Sequence, residues 1–273
     1  MKKMILLLAF AALTAAATAF AGSVPGTGIN GSPHDITAKV SGSDVMGRTC
    51  VFCHTPHNAA NGQSLVGTDL PLWNHTLSTN EGTWVSYQWA GSANVPVYDG
   101  GGNKTSGLDP ILDPVQGPSR LCLSCHDGSI NYDQHGTDPT NTNAANYSPG
   151  TVKLSGAKQI GAGGDLTTSH PIGFSYGAAL TQRGSTELAA KTEGWATAIN
   201  PDALWTAAGK VTRSSTLIGT SLYQGDVMTC ATCHDVHNKD NVAPAPSYGA
   251  VTANYFLYAQ DESSLICLSC HKK

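Results

Sequence analysis

The chain has 273 residues, with 15 Lys and Arg against 19 Asp and Glu, 12% charged residues in all, and 30 glycines. A formal net charge of −4 disfavours nucleic acid as a partner. Abundant Gly, Ser, Thr and Asn, with few long periodic apolar stretches, do not promise a self-sufficient core, so something other than side chains is expected to fill part of the interior.

Met1-Lys2-Lys3, the apolar run from Met4 to Ala19, and Ala19-Phe20-Ala21 before Gly22 form a secretory signal-peptide pattern, so residues 1–21 are set aside and export is expected. A membrane anchor is the alternative, but the run is short, a small-residue cleavage site follows it, and no later segment has the ~18 apolar residues in a row that a span needs. No Cys follows the expected cut, so nothing suggests a lipid anchor. Losing Lys2 and Lys3 takes the basic residues from 15 to 13 against 19 acidic ones, a net charge of about −6.

In chain order, a lone His34 stands in Ser-Pro-His-Asp-Ile, and Cys50-Val-Phe-Cys53-His54-Thr-Pro-His57-Asn58 follows it. Next come Pro-Leu-Trp73-Asn-His75 and a candidate strand over 85–89. Asp99 to Ser106, with three consecutive glycines, reads as a surface loop; the wider acidic, Gly-rich run 98–113 lacks any recognised calcium spacing and reads as a turn-rich linker, with calcium as the alternative. Pro118-Ser119-Arg120 opens a helical turn through Cys122-Leu-Ser-Cys125-His126, with Gly128 as its C-terminal stop. His135 begins a polar stretch in which 136–148 reads as a second surface loop.

Beyond a boundary placed near 150–165, His170 stands in Ser-His-Pro-Ile-Gly-Phe, and the spacing of Leu188, Ala189, Trp195 and Ala198 predicts a helix over 185–199. Cys230-Ala-Thr-Cys233-His234-Asp-Val-His237-Asn238 comes next, then a candidate strand over 255–258. A final helix, with Asp261 to Ser264 offering caps, runs through Cys267-Leu-Ser-Cys270-His271.

All eight cysteines thus fall in four Cys-x-x-Cys pairs, each followed at once by a histidine: His54, His126, His234 and His271. Exported disulfides and paired zinc knuckles both use such cysteines, but neither requires the adjacent histidine. Covalent haem does. Two thiols at this spacing add to the two vinyl groups of one haem, and the next imidazole faces the iron. Four covalently bound haem c groups are therefore expected, attached outside the cytoplasm, with Cys50, Cys53, Cys122, Cys125, Cys230, Cys233, Cys267 and Cys270 as attachment points.

The sixth ligand separates electron transfer from catalysis. Met46 and Met228 are the only methionines beyond the signal segment, and Met228 lies too near Cys230 to reach the far face of that haem, so bis-histidine iron of low potential is expected. The sites beginning at Cys50 and Cys230 share both histidines and the final Asn; those beginning at Cys122 and Cys267 are identical over five residues. The chain therefore reads as two dihaem half-units, 22–155 and 156–273, within one continuous tetrahaem domain. Each half supplies two free histidines, giving His34, His57, His170 and His237 as distal ligands, with His75 in reserve and His135 a surface or outer-shell imidazole. His57 and His237 lie three residues beyond proximal histidines, too close to pass above the same iron, so each must serve a neighbouring haem. The expected fold is mostly irregular, with short α-helices and a few short strands wrapped around a haem array.

The motifs around His34, His57, His75 and His170, with Cys-Leu-Ser-Cys-His126-Asp-Gly, resemble those of multihaem c-type cytochromes of metal-reducing bacteria, nearest to OmcE-like tetrahaem cytochromes that polymerise into extracellular filaments. The resemblance implies alternating stacked and T-shaped haem pairs, a homo-oligomer or filament, and one distal histidine crossing between subunits, from the segment with His34 and His57. Extracellular or cell-surface electron transfer to redox partner proteins or extracellular acceptors is the first functional expectation, and a soluble periplasmic carrier the second. A multihaem reductase is the third, but it needs an open iron, whereas all four motifs are intact and distal histidines are in excess.

Overall fold

The computed structural model describes residues 28–55, 73–80, 83–86, 113–114, 117–156, 159–199, 211–238 and 256–272. The architecture is irregular, as expected, with short helices and short strands strung along loops. Among the described residues, helices α1 (Ile36–Lys39), α2 (Ser119–His126), α3 (Tyr176–Arg183), α4 (Ile218–Ser221), α5 (Cys230–Cys233) and α6 (Leu265–Cys270) are accompanied by three 3₁₀ turns, one of them Thr49–Phe52. Strands β1 (Val85–Ser86) and β2 (Asp165–Leu166) pair in parallel; β3 (Phe174–Ser175) with β6 (Val227–Met228), and β4 (Gly194–Ile199) with β5 (Val211–Leu217), pair antiparallel. The β1–β2 pairing crosses the boundary expected near 150–165. Among the described residues no helix is long and apolar enough to cross a membrane.

The largest apolar core lies in the C-terminal half. Tyr176, Trp195, Ile218, Leu222, Met228 and Leu265 pack together there, and helix α6 lies against the β4–β5 hairpin. Trp195 is fully buried, stacks on Tyr258 and donates from Nε1 to Ser221 Oγ at 3.1 Å. The N-terminal half has three small clusters instead, around Phe52, Trp73 and Trp84. Polar groups fill much of what remains: buried Asp133 accepts from the backbone N–H groups of Thr151 and Val152 and from the Thr151 hydroxyl. Buried Asp127 accepts from Ser78, from Asn80 Nδ2 and from the Ser129 N–H.

Two expected elements differ. The helix over 185–199 is not formed: residues 185–193 run as turns and irregular chain with a bridge from Leu188 to His271, and 194–199 is strand β4. Its apolar residues serve a hairpin, and the Ala196 N–H donates to Ser269 Oγ at 2.8 Å, anchoring the strand to α6. The helix of this region lies earlier, as α3, with Ser175 Oγ accepting from the Ala178 N–H and Gly184 ending it. Of the strand expected over 255–258, residue 255 lies outside the described residues and Phe256 to Tyr258 form none, because Phe256 has a φ of 59°, outside extended space; a single bridge joins Leu257 to His234. Of the strand expected over 85–89, Val85 and Ser86 form β1 and residues 87–89 lie outside the described residues.

Candidate functional site

Each Cys-x-x-Cys-His segment folds as one helical turn. The His54 N–H donates to the Cys50 carbonyl at 2.9 Å, His234 to Cys230 at 3.2 Å and His271 to Cys267 at 2.8 Å, while Cys122 to His126 lie inside α2. A helical turn puts residues three and four apart on one face, so each pair of thiols and the histidine beside it point the same way. None of the eight cysteines is joined in a disulfide.

The local sequence explains why these turns form. Thr229 and Thr232 close a reciprocal capping box on α5, Thr229 N–H donating to Thr232 Oγ1 at 2.9 Å. Helix α2 is capped from a distance by Asp113, whose Oδ1 accepts from the Ser119 N–H at 2.8 Å; burial pushes this carboxyl up to about 6. Gly128 follows α2 with a φ of 72°, and a Cβ there would come within 2.8 Å of the Leu154 carbonyl, so its role as the stop has a steric cause. Helix α6 begins after a 3₁₀ turn at Glu262–Ser264, and Ser264, at a φ of 57°, makes no side-chain cap. Asp113 and the Thr229/Thr232 box are absent from the sequence-based site. The box was legible from its spacing; Asp113, six residues before its partner, was not.

Among the described residues, the motif histidines His54, His126 and His271 each lie beside a histidine from elsewhere. The His34 and His126 ring centroids are 6.1 Å apart, those of His54 and His237 are 6.0 Å apart and tilted by only 22°, and those of His170 and His271 are 6.4 Å apart. His34 is held by its neighbour Asp35, whose carboxylate caps α1 at Ala38 and accepts from the Gly31 N–H at 2.7 Å. Burial, followed by the nearby His126, His234 and His237, lowers the His34 pKa to about 4, so its imidazole is neutral at physiological pH. That is the form that binds metals. His57 lies outside the described residues, as does the run 98–112 considered for calcium.

His75 is fully buried, its Nδ1 donating to the Gln134 carbonyl at 2.9 Å while Nε2 faces Cys125 Sγ at 3.2 Å. An imidazole tied through Nδ1 with Nε2 directed at a site is the arrangement that orients metal-bound histidines. Burial lowers its pKa to about 4. His135 is not a surface residue. The chain doubles back so that His135 bridges Ser148, and the ring is fully buried, edge-on to Phe52 at 5.7 Å and 3.6 Å from Asp44. Met228 packs in the C-terminal core, and Met46 is exposed.

Burial pushes the thiols of Cys53, Cys233 and Cys270 up to about 11, 12 and 11, and raises Cys125 further. Such thiols stay protonated at neutral pH, unlike the reactive thiolates of disulfide oxidoreductases. Among the described residues no group of three or more His, Cys, Asp or Glu side chains could hold a bare metal ion. The histidines come in facing pairs instead, a donor set that suits a metal whose other positions are already filled by a macrocycle. No family model and no curated protein matches the chain.

Proposed function

We propose that the chain is an exported tetrahaem c-type cytochrome whose function is electron transfer. The observation that carries this is the three facing histidine pairs, each joining a Cys-x-x-Cys-His histidine to one of the free histidines. A histidine nitrogen binds a metal at about 2 Å, so two imidazoles on opposite sides of one metal place their centroids roughly 6 Å apart. The pairs at 6.0, 6.1 and 6.4 Å fit that requirement.

On this reading the four cysteine pairs hold the haems, and His54, His126, His234 and His271 are proximal ligands. His237, His34 and His170 are the distal partners of His54, His126 and His271; His57 and the oriented His75 are the candidates for the remaining iron. When bound, the haem irons supply one-electron couples of low potential. The chain's own residues would offer two imidazoles to each of three haem irons, which would leave those irons no open position for a substrate; the chain is accordingly read as a carrier and not an enzyme. An extracellular or cell-surface location, transfer to redox proteins or extracellular acceptors, and assembly into a homo-oligomer or filament follow from the family resemblance.

Haem stoichiometry and ligand exchange test the proposal. The native protein should carry four haems and leave its spectrum unchanged under carbon monoxide. Fewer than four, or carbon monoxide binding to a substantial share of the irons, would overturn it. Electron microscopy of the native protein separates a filament from a periplasmic carrier: a strictly monomeric species at high concentration counts against assembly.

A further inference from the structure

We propose that the third Cys-x-x-Cys-His turn is the junction of the array, joined directly to the first turn as well as to the second and fourth, so that the sites do not connect simply in chain order. The inference rests on the proposed haem-carrying function and adds the order in which its sites are joined.

The first and third sites are linked through His237. His237 follows His234 by three residues and presents its ring to His54, nearly parallel, at 6.0 Å. This segment is held on several sides: the His237 N–H donates to Asp235 Oδ1 at 3.2 Å, the Asp235 N–H to the Phe256 carbonyl at 2.8 Å, and the Gly28 N–H to the His237 carbonyl at 2.9 Å. A ligand to the first site and the proximal ligand of the third thus sit on one fixed peptide. Contact with the second site is made by the backbone of Cys230, whose N–H donates to Ser119 Oγ at 3.0 Å, at the start of α2. The Cys122 and Cys230 side chains also lie next to each other. Cys233 and Cys270 pack against one apolar core, around Trp195 and Leu265, and this joins the third site to the fourth.

The first and second sites also meet, since Cys53 packs with Trp73 and with Leu121 of α2. The first three sites therefore close a triangle, and the fourth extends from its third corner. Exchange between adjacent sites moves one electron, the donor site losing what the acceptor gains, so no outside reductant enters the step. Loss of the second site leaves a path from first to third to fourth; loss of the third breaks it.

The test uses His237→Met in the haem-loaded protein, combined with removal of one attachment pair at a time. The single variant should keep four haems and change the axial ligation of one, seen as a methionine-to-iron charge-transfer band or a high-spin signal. That signature should vanish when Cys50→Ala/Cys53→Ala removes the first site, and persist when Cys122→Ala/Cys125→Ala removes the second. Persistence without the first site, or loss with the second, overturns the inference. For variants that fail to fold, the wild-type protein supplies the same answer. In its fully reduced form, nuclear Overhauser contacts from the His237 ring should reach the haem attached at Cys50 and Cys53, and their absence overturns the inference. A haem-free native chain sinks the proposed function as well, whereas a four-haem chain with His237 on another site sinks the junction and the His54–His237 pairing but leaves the four-haem reading standing.

Discussion

The two halves of the chain are held together by different means. Around Trp195, residues from β4, α4, β6 and α6 bury apolar side chains against one another, and the ordinary hydrophobic effect accounts for their association. Around His75 and His135 the apolar clusters are small, and the interior is occupied by Asp44, Asn74, Asp127, Asp133, Gln134 and two imidazoles. Hydrogen bonds satisfy carboxylates there, but their net contribution is modest, about 1 kcal/mol each. A region built this way gains far more from a large apolar group at its centre than does one with a core of its own. On the proposed haem-carrying reading, the contrast marks where haem would matter most for folding.

If the chain carries haem as proposed, the largest effect should come from withholding it. In a host lacking the haem-attachment machinery, residues 28–55 and 113–152 should lose most of their amide-exchange protection, while 174–199 and 211–228 retain a substantial part. Equal loss in both halves would erase the distinction. Trp195→Ala attacks the other side of the comparison: it removes a fully buried indole, its stacking on Tyr258 and its bond to Ser221, and should cost about 3–5 kcal/mol in denaturant unfolding of the C-terminal half.

A smaller effect is expected at Asp133, the polar counterpart of Trp195. Asp133→Ala leaves the N–H groups of Thr151 and Val152 and the Thr151 hydroxyl without their acceptor and frees the segment that buries His135. A loss of about 1–3 kcal/mol follows from buried donors left unsatisfied. Thermal unfolding of the haem-loaded protein measures it, and Asp133→Asn, which keeps one acceptor oxygen, should recover part of the loss.

What the sequence revealed about these halves divides along physical lines. The Cys-x-x-Cys-His turns were legible because their geometry is local: a thiol pair and a histidine within five residues need only one helical turn to converge. The displaced helix shows the limit of periodicity. Leu188, Ala189, Trp195 and Ala198 fit a helical spacing, but pairing of 194–199 with 211–217 took precedence, whereas Ser175 and Gly184 marked the true helix by its end signals. His135 reads as polar loop because its burial depends on Asp133 holding residues 151 and 152, an arrangement that local composition does not encode. Which histidine ring lies beside which depends on tertiary packing across more than a hundred residues, as between His54 and His237, and no local pattern encodes it.

The smallest expected effect is electrostatic and falls in the better-packed half. Asp226 ties β6 to the start of α3, accepting from Ser175 Oγ, from the Gly177 N–H at 2.9 Å and from Lys191 Nζ at 3.1 Å. Partial burial alone would raise its pKa, but these hydrogen bonds and the lysine charge outweigh it and hold the carboxyl below its ordinary 3.8. A depressed folded-state pKa contributes stability that is present above 3.8 and is lost as pH falls through the lower folded-state value. Because the side chain is partly exposed, solvent screens the pair, and Asp226→Asn should cost no more than about 1 kcal/mol at neutral pH. The difference from wild type should shrink toward zero in acid below that range, and should also weaken in high salt. A difference unchanged across that acid range would mean that the Asp226 charge does not help join β6 to α3, and that this half rests on its apolar core alone.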